Sequence, residues 1–341
     1  MLHRYALVML TLLSLCFSTR EGFANPCAIP MKDTVGLPPG ERPVPVKVGI
    51  LTIDVLSISD ADQTFHIDAF TKVSWKDPRL ADFAGCHVPP IAIWNPHLEL
   101  INSSELKTRL PPFARISEGG QVDLVRRFAG EITSPHTLEE FPFDSRDLKM
   151  AISPRGYSAQ EVELEIAQHF TGRVKQFSIA DWAIGDYKAS VDTWNIAQLK
   201  ETRSRVNYEL PAQRLRGYWI TKVMFPLFLI IAMSWAVFWI DVTHIPTAIG
   251  LAATSMLTLI AFQFALAGTL PRVSYLTVMD TFVFGAAVMI FMVLVEAVVT
   301  SALVGVGKEN LARRLDRYGR WVLPLAFLAL VSWVWLRAIS V

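Results

Sequence analysis

After its N-terminus, the first two thirds of the chain alternate apolar with polar residues in short runs. Two clear runs stand at 48–55 and 64–70, and turn-forming pairs such as Asp77-Pro78 and Gly119-Gly120 separate such runs. Short strands with regularly spaced turns are typical of an all-β sandwich. We therefore predict an immunoglobulin-like β-sandwich over residues 25–216, with its loops available for binding.

Four apolar segments follow this region, at about 218–240, 246–268, 278–304 and 321–339. A helix needs about 20 mostly apolar residues to cross the hydrocarbon core of a bilayer. The pattern therefore predicts a transmembrane domain of four helices over residues 217–341. The lipid bilayer is the first partner that the sequence implies.

The second apolar segment has a face of small, hydroxyl and bulky apolar residues. At about 3.6 residues per turn, alternating steps of four and three positions fall in one stripe. Small residues on a membrane helix also allow close helix packing, which this segment alone favours. Around a central axis, however, the stripe would form a wettable inner mouth and a dewetting gate at Leu257 and Phe264. The stripe consists of Gly250, Thr254, Leu257, Ala261, Phe264 and Gly268.

The two ends of the chain suggest export and a membrane topology. Residues 1–24 have the polar start, short apolar run and small-residue end of a secretory signal. The remaining cysteines, Cys27 and Cys86, can form one bridge in an exported protein or stay two unrelated thiols. The segment 305–320 between the last two apolar segments is rich in lysine and arginine, which places it inside the cell and both termini outside.

Composition excludes several function classes. The formal net charge of the 341 residues is +1, and no basic stripe stands out, so we expect no nucleic-acid partner. The β region has no nucleophile elbow, zinc-ligand pair or Gly-rich phosphate loop, so we expect neither an enzyme nor a metal or cofactor site. Its histidines are scattered, at His66, His87, His97, His136 and His169.

Six short motifs occur in an order that resembles the pentameric ligand-gated ion channels, also called Cys-loop receptors. The resemblance covers nearly the whole chain after residue 24. The motifs are WKDPRL (75–80), IWNP (93–96), FPFD (141–144), QRL (213–215), SWAVFWI (234–240) and LPRVSY (270–275).

Two departures resemble the bacterial branch of that family. The positions of the signature half-cystines hold Ser134 and Leu148, and the large intracellular insertion before the fourth helix is absent. The resemblance then implies a bacterial inner-membrane protein with its β domain in the periplasm.

The resemblance implies a homopentamer in which each second membrane helix lines the pore for permeant ions. It also implies a mechanical link between the sandwich and the pore. Asp144 at the loop tip and Arg214 above the membrane are expected to pair, with Pro271 and Arg272 of the following linker against that tip. A solvated surface pair of little energetic value is the alternative.

The resemblance places an agonist site at the subunit interfaces, but few of its aromatic residues are present. A cationic amine needs an aromatic box, and the arginine at position 155 disfavours a cation. We therefore leave an anionic, neutral or proton agonist open, and the aromatics at 157 and 194 are equally compatible with plain sandwich residues. The matched positions are Phe70, Trp94, Ile101, Arg155, Tyr157 and Trp194.

Selectivity is predicted from the inner mouth of the second helix. Pro246, Thr247 and Ala248 carry no carboxylate there, and helix N-termini lend a positive potential, so anions are favoured. Asp241 lies a few residues below and could line a wider vestibule. A cation-selective or proton-gated channel and a non-conducting sensor remain alternatives. A transporter is less favoured, because Glu296 is the only strong charged candidate within the membrane segments.

Overall fold

The computed structural model describes residues 27–109, 112–268 and 273–339. The expected signal segment 1–24 lies outside the described residues. The described chain forms a two-sheet β domain followed by a helical domain.

Within the described residues, thirteen strands form two sheets, as the alternating pattern predicts. The first sheet has the order β10-β1-β2-β7-β6-β3, with β5 on β7 and β9 on β1, and the second has the order β11-β13-β8-β4, with β12 on β13. The strands are β1 Val44–Ser59, β2 Thr64–Lys76, β3 His87–Val88, β4 Leu98–Leu100, β5 Ser103–Thr108, β6 Ala114–Ser117, β7 Gln121–Thr133, β8 Ser145–Pro154, β9 Val162–Ile166, β10 Gly172–Arg173, β11 Trp182–Ile184, β12 Lys188–Ile196 and β13 Glu201–Arg214.

The core of the β domain lies between these sheets. Strand β2 shows the alternation, because Phe65, Ile67 and Val73 are buried on one face, whereas Phe70 and Lys72 on the other face are only half-buried. The largest fully buried side chains include Trp75 and Trp94, whose rings meet edge to face with centroids 5.7 Å apart.

The N-terminal segment is tied to the sandwich in two ways. The short helix α1, Met31–Thr34, lies beside Arg79, whose guanidinium donates to the carbonyls of Asp33 (2.8 Å) and Gly36 (2.7 Å) and to the Asp77 carboxylate. Cys27 and Cys86 form a disulfide with their Cα atoms 5.5 Å apart. The structure thus decides between the two states that the sequence left open.

Four long helices follow: α2 Gly217–Trp239, α3 Ile245–Leu266, α4 Val278–Gly305 and α5 Glu309–Ile339. The first three are long and apolar enough to cross a membrane. Thr277 caps α4, because its hydroxyl accepts from Asp280 N (3.0 Å) while the Asp280 carboxylate accepts from Thr277 N (3.0 Å).

Helix α5 begins earlier than the predicted residue 321. The charged stretch that the sequence analysis read as a loop is helical from Glu309 onward. Ion pairs at i and i+4 support this amphipathic start, between Arg313 and Glu309 (3.9 Å) and between Arg320 and Asp316 (3.2 Å). The prediction failed because hydrophobicity alone detects only the apolar half of such a helix.

Candidate pore, coupling cluster and agonist site

Helix α3 has one exposed and one buried face. Ala252, Leu259 and Leu266 are buried against the neighbouring helices. On the other face, Leu257 is 68% exposed and Phe264 is 78% exposed. Five residues of the predicted stripe are exposed within α3: Gly250, Thr254, Leu257, Ala261 and Phe264. The sixth, Gly268, is also exposed but lies beyond the end of the helix at Leu266. The face is therefore free to line an axis shared with other copies of the chain.

The inner end of this face is polar but carries no carboxylate of its own. The Thr254 hydroxyl donates to the Gly250 carbonyl (2.7 Å), which leaves its oxygen lone pairs available to water or ions. Pro246 and Thr247 are exposed in the first turn, whereas Ala248 is half-buried beside Phe238.

Asp241 is exposed in the turn before α3. Its carboxylate accepts hydrogen bonds from Thr243 N (2.9 Å) and Thr243 Oγ1 (2.7 Å). These bonds lower the pKa of Asp241, and the positive charge of Arg313 acts in the same direction. The carboxylate is thus held by its own turn.

The structure brings Asp144 and Arg214 together in a buried cluster. Arg214 Nε donates to Asp144 Oδ1 (2.7 Å), and the two residues are 5% and 3% exposed. Two residues that the sequence analysis missed complete the cluster. Asp60, from the β1–β2 turn, accepts from Arg214 (2.9 Å), and Arg146 contacts both Asp60 (2.8 Å) and Asp144 (2.6 Å). Arg146 follows the FPFD motif by two residues, so its role could have been predicted from the sequence. No sequence motif contains Asp60, so its role could not.

Aromatic rings and a histidine enclose this coupling cluster. The Arg214 guanidinium lies 4.3 Å from the Trp182 ring centroid and 4.8 Å from that of Phe141. Burial is the largest single influence and opposes ionisation of Asp144, but the hydrogen bonds and positive charges of Arg214 and Arg146 together outweigh it and lower the pKa of Asp144. Burial lowers the pKa of His136, whose Nε2 lies 3.9 Å from Asp60 Oδ1. The cluster is therefore a buried ion network and not the solvated pair of the alternative.

The FPFD loop also contacts the start of α4 directly. The first backbone N–H groups of α4 donate into the loop, from Val278 to Glu139 O (2.9 Å) and from Met279 to Phe141 O (3.1 Å). These bonds satisfy helix N–H groups that have no partner within the helix. In turn, Leu138 N donates to the Tyr275 hydroxyl (2.7 Å). Pro271 and Arg272 lie outside the described residues, so their expected contact with the loop stays a prediction.

One of the predicted agonist residues is misplaced. Trp94 is only 1% exposed, and its Nε1 donates to the Tyr157 hydroxyl (3.1 Å) within the core of the same subunit. Its ring therefore does not face a ligand at a subunit interface. The IWNP motif holds the loop by packing, and Tyr157, half-buried, serves as its hydrogen-bond partner.

The other matched residues lie on the two outer faces of the sandwich. Phe70 on β2 is half-buried, and the Arg127 guanidinium lies 5.4 Å from its ring centroid. Arg127 donates to both oxygens of Asp68 (3.0 and 2.8 Å), and these hydrogen bonds lower the pKa of Asp68. This arginine lies over the ring of Phe70 and is itself a cation at that ring.

The second outer face is rich in charge pairs. Arg155 is exposed, with its Nε 3.8 Å from Glu99, which also lies 3.7 Å from Arg203. Trp194 is half-buried on β12, opposite Arg203 of β13, and Ile101 is half-buried beside β4. Only the fold brings Glu99, Arg127 and Arg203 next to the aromatic residues, so no sequence pattern pointed to these three side chains.

Two family models match the chain. The neurotransmitter-gated ion-channel ligand-binding domain matches residues 33–222, and the transmembrane region of the same channels matches residues 223–305. In the described part of the chain, no group of three or more His, Cys, Asp or Glu side chains could hold a metal ion.

Among curated relatives, the chain is 27% identical over 305 residues to a proton-gated ion channel of Gloeobacter violaceus, covering 87% of this chain and 84% of the relative. It is 26% identical to the serotonin-gated chloride channel mod-1 of Caenorhabditis elegans, covering 76% and 55% of the two chains. It is 22% identical to the human gamma-aminobutyric acid receptor subunit rho-3, covering 82% and 63%. The chain belongs to the family of neurotransmitter-gated, or pentameric ligand-gated, ion channels, which are membrane channels and not enzymes.

Proposed function

We propose that this chain forms a homopentameric, anion-selective channel of the bacterial inner membrane, which an agonist opens from the periplasmic side. The observation that carries the proposal is the exposed face of α3, where a row of small and hydroxyl residues ends at Leu257 and Phe264. In a closed ring, those two positions would form apolar constrictions that water leaves, so that ions meet a desolvation barrier.

Anion selectivity is supported by the charges around the inner mouth. The first turn of α3 offers no carboxylate, and the N-terminal ends of the helices contribute positive potential. The positive charge of Arg313 lies near enough to Asp241 to offset its charge in part. The serotonin-gated relative is named as a chloride channel, which agrees with this choice.

The agonist is proposed to act between subunits, where Phe70 of one chain and Arg155, Trp194 and Ile101 of the next would meet. The guanidinium groups of Arg127 and Arg155 make a cationic amine a poor fit there. Agonist binding would open the channel only to the extent that the agonist binds the open state more tightly than the closed state. The coupling cluster around Asp144 and Arg214 would transmit that preference to α4 and the pore.

The first test replaces Leu257 by threonine. A hydroxyl at the gate eases wetting, so we expect current without any agonist in a bilayer. Under a tenfold KCl gradient, the current should reverse near the chloride potential, about 59 mV from zero.

A matched control places the same substitution on the opposite face of α3, at the buried Leu259. This variant should remain silent if it folds into the same oligomer. Silence of Leu257→Thr in a correctly assembled protein would contradict the gate and favour a non-conducting sensor. Reversal near the potassium potential would contradict anion selectivity and point to Asp241.

A proton is the second candidate agonist, because His136 lies against the coupling cluster. Its Nδ1 is 2.7 Å from the Ser134 carbonyl, so Nδ1 carries the proton in the neutral ring and Nε2 is free to accept one. Asp60, Asp144 and Arg146 are the charged groups that face it. Protonation at Nε2 would draw Asp60 away from Arg214.

The pH dependence of stability tests this second candidate. The pKa of His136 is below its ordinary value of 6.5 in the folded protein, so folding favours the neutral ring. Its contribution to stability is therefore complete above pH 6.5 and is lost as the pH falls through the lowered pKa. We expect the apparent melting temperature of His136→Gln to fall less between pH 7.5 and 5 than that of the unchanged protein.

The exposed His87 provides the control, and His87→Gln should follow the unchanged protein. If the melting temperatures of all three proteins depend equally on pH, protonation of His136 does not affect stability, and the proposal of His136 as a proton sensor is contradicted. Current in response to acid in the unchanged protein, reduced by His136→Gln, would support proton gating.

A further inference from the structure

Glu296 lies on α4, and the proposed channel mechanism gives this acidic residue no role. Helix α4 has a mean hydropathy of 2.6, the highest of the three candidate membrane spans. Glu296 is nine residues from the end of the helix at Gly305, which is about 14 Å at 1.5 Å per residue. Because α4 is longer than a hydrocarbon core about 30 Å thick, a centred helix places Glu296 inside that core.

The side chain of Glu296 has apolar neighbours and no hydrogen-bond donor. Val293 and Thr300, one turn before and one turn after it on α4, are both buried. The carboxyl oxygen Oε1 of Glu296 is buried without a hydrogen-bond partner. The Thr300 hydroxyl does not supply one, because it donates to the backbone carbonyl of Glu296 (2.9 Å). The polar end of this side chain is therefore unsatisfied.

The charged groups around Glu296 do not compensate a negative charge. The charge that reaches Glu296 is that of Asp316 on α5, which has the same sign. Asp241, in the turn between α2 and α3, adds another carboxylate close enough to act on Asp316. Helix α3 has no charged residue between Ile245 and Leu266, and Lys222 of α2 lies at the opposite end of its helix. In the described part of the chain, Glu296 thus faces acidic groups and no cation.

Arg320, which accompanies Asp316 on α5, is engaged elsewhere. It donates to the Asp316 carboxylate (3.2 Å) and to the Phe238 carbonyl, and its guanidinium lies 5.3 Å from the ring centroid of Trp239. The remaining donor, Arg320 Nε, is buried without a partner, so it does not reach the unsatisfied oxygen of Glu296. An ionised Glu296 would therefore be an unpaired charge in an apolar bundle beside a second carboxylate, which is strongly unfavourable.

We propose that Glu296 is a proton-binding site inside the membrane domain, whose neutral carboxyl is open to modification by apolar carbodiimides. The bound proton removes the charge that the apolar surroundings disfavour. It also prevents repulsion between α4 and α5 at Asp316. The site is separate from the exposed face of α3, the coupling cluster and the agonist region. It therefore goes beyond the proposed function and does not depend on it.

Carbodiimides distinguish a neutral carboxyl from a carboxylate. A carboxyl oxygen bonds to the central carbon of the carbodiimide while the carboxyl proton moves to one of its nitrogens, which gives an O-acylisourea. Where water is excluded and cannot hydrolyse this intermediate, the acyl group moves from oxygen to nitrogen: the acyl C–O bond breaks and a C–N bond forms. The product is a stable N-acylurea that keeps every atom of both reactants, with no oxidation or reduction. A carboxylate has no proton to transfer in the first step.

The first test treats the full-length protein in membranes with dicyclohexylcarbodiimide at pH 7.5 and locates the adduct by peptide mass spectrometry. Glu309, exposed on α5, is the reference. An ordinary exposed glutamate is neutral in roughly one molecule in a thousand at this pH, so we expect labelling of Glu296 to be at least about a hundredfold faster. Glu296→Gln should lose this adduct, whereas the matched control Glu309→Gln should keep it.

A second measurement does not depend on access of the reagent. A neutral carboxyl has an infrared carbonyl band that a carboxylate lacks, and at pH 7.5 this band should be present in the unchanged protein and in Glu309→Gln. Glu296→Gln should lose it, while keeping the same oligomer and melting temperature, because glutamine has nearly the same shape as the neutral acid. An unchanged band in Glu296→Gln would overturn the proposal, and so would labelling of Glu296 at the rate of Glu309.

Discussion

Replacing Arg214 by glutamine is expected to destabilise the β domain by about 3–5 kcal/mol, the usual cost of removing one partner from a buried ion pair. Arg214 contacts Asp144 at 2.7 Å and Asp60 at 2.9 Å, and its guanidinium is stacked on Trp182 and Phe141. Without it, Arg146 alone would have to compensate the buried carboxylate of Asp144 and the half-buried carboxylate of Asp60. The measurement is the apparent melting temperature of the detergent-solubilised protein.

The same strand provides the control. Arg205 on β13 forms an ion pair with Asp192 in which the two side chains are 28% and 43% exposed. Exposed pairs contribute about 0–1 kcal/mol, so Arg205→Gln should change the melting temperature little. Equal effects of the two substitutions would mean that the coupling cluster behaves as a surface pair. A folded Arg214→Gln protein that still responds fully to agonist would exclude the cluster from gating.

Replacing Thr247 by glutamate in the Leu257→Thr background is expected to move the reversal potential from the chloride limit towards the potassium limit. Thr247 is exposed and lies one helical turn before Gly250, on the same face of α3. In a ring of subunits, the substitution would place a carboxylate from every chain at the inner mouth. Under a tenfold KCl gradient, the two limits lie about 59 mV on either side of zero.

Thr247→Gln in the same background controls for size. It introduces a side chain of nearly the same shape without charge, so its reversal potential should stay at the chloride limit. An equal shift in the two variants would mean that bulk, and not charge, sets selectivity at this turn. No shift in Thr247→Glu would place the selectivity determinant elsewhere in the pathway.

The pore face was the part of the candidate site most accessible to sequence reasoning. A helix fixes which residues share a face, so spacing alone placed six residues in one row, and the five of them that lie within α3 are all exposed. The Asp144–Arg214 contact was also expected, because both residues belong to recognisable motifs. The start of α5 was not predicted, because its first turns are amphipathic and do not form a continuous apolar run.

The agonist region was the part of the candidate site least predictable from the sequence. Its residues come from strands far apart in sequence, and whether a strand residue faces the core or the surface depends on register. Trp94 was placed in the binding loop by its motif, yet its ring is buried against Trp75 and Tyr157. Arg127 covers Phe70 only because β2 and β7 pair with Phe70 opposite Arg127.

The sequence by itself determined the properties that depend on local period and composition. These are the β domain followed by apolar helices, the stripe on α3 and the family. Tertiary structure decided the properties that depend on long-range contact: the Cys27–Cys86 bridge and the entry of Asp60 into the coupling cluster. The periodicity of a helix or strand determines which residues share a face. Which residues that face contacts depends on how the elements pack together.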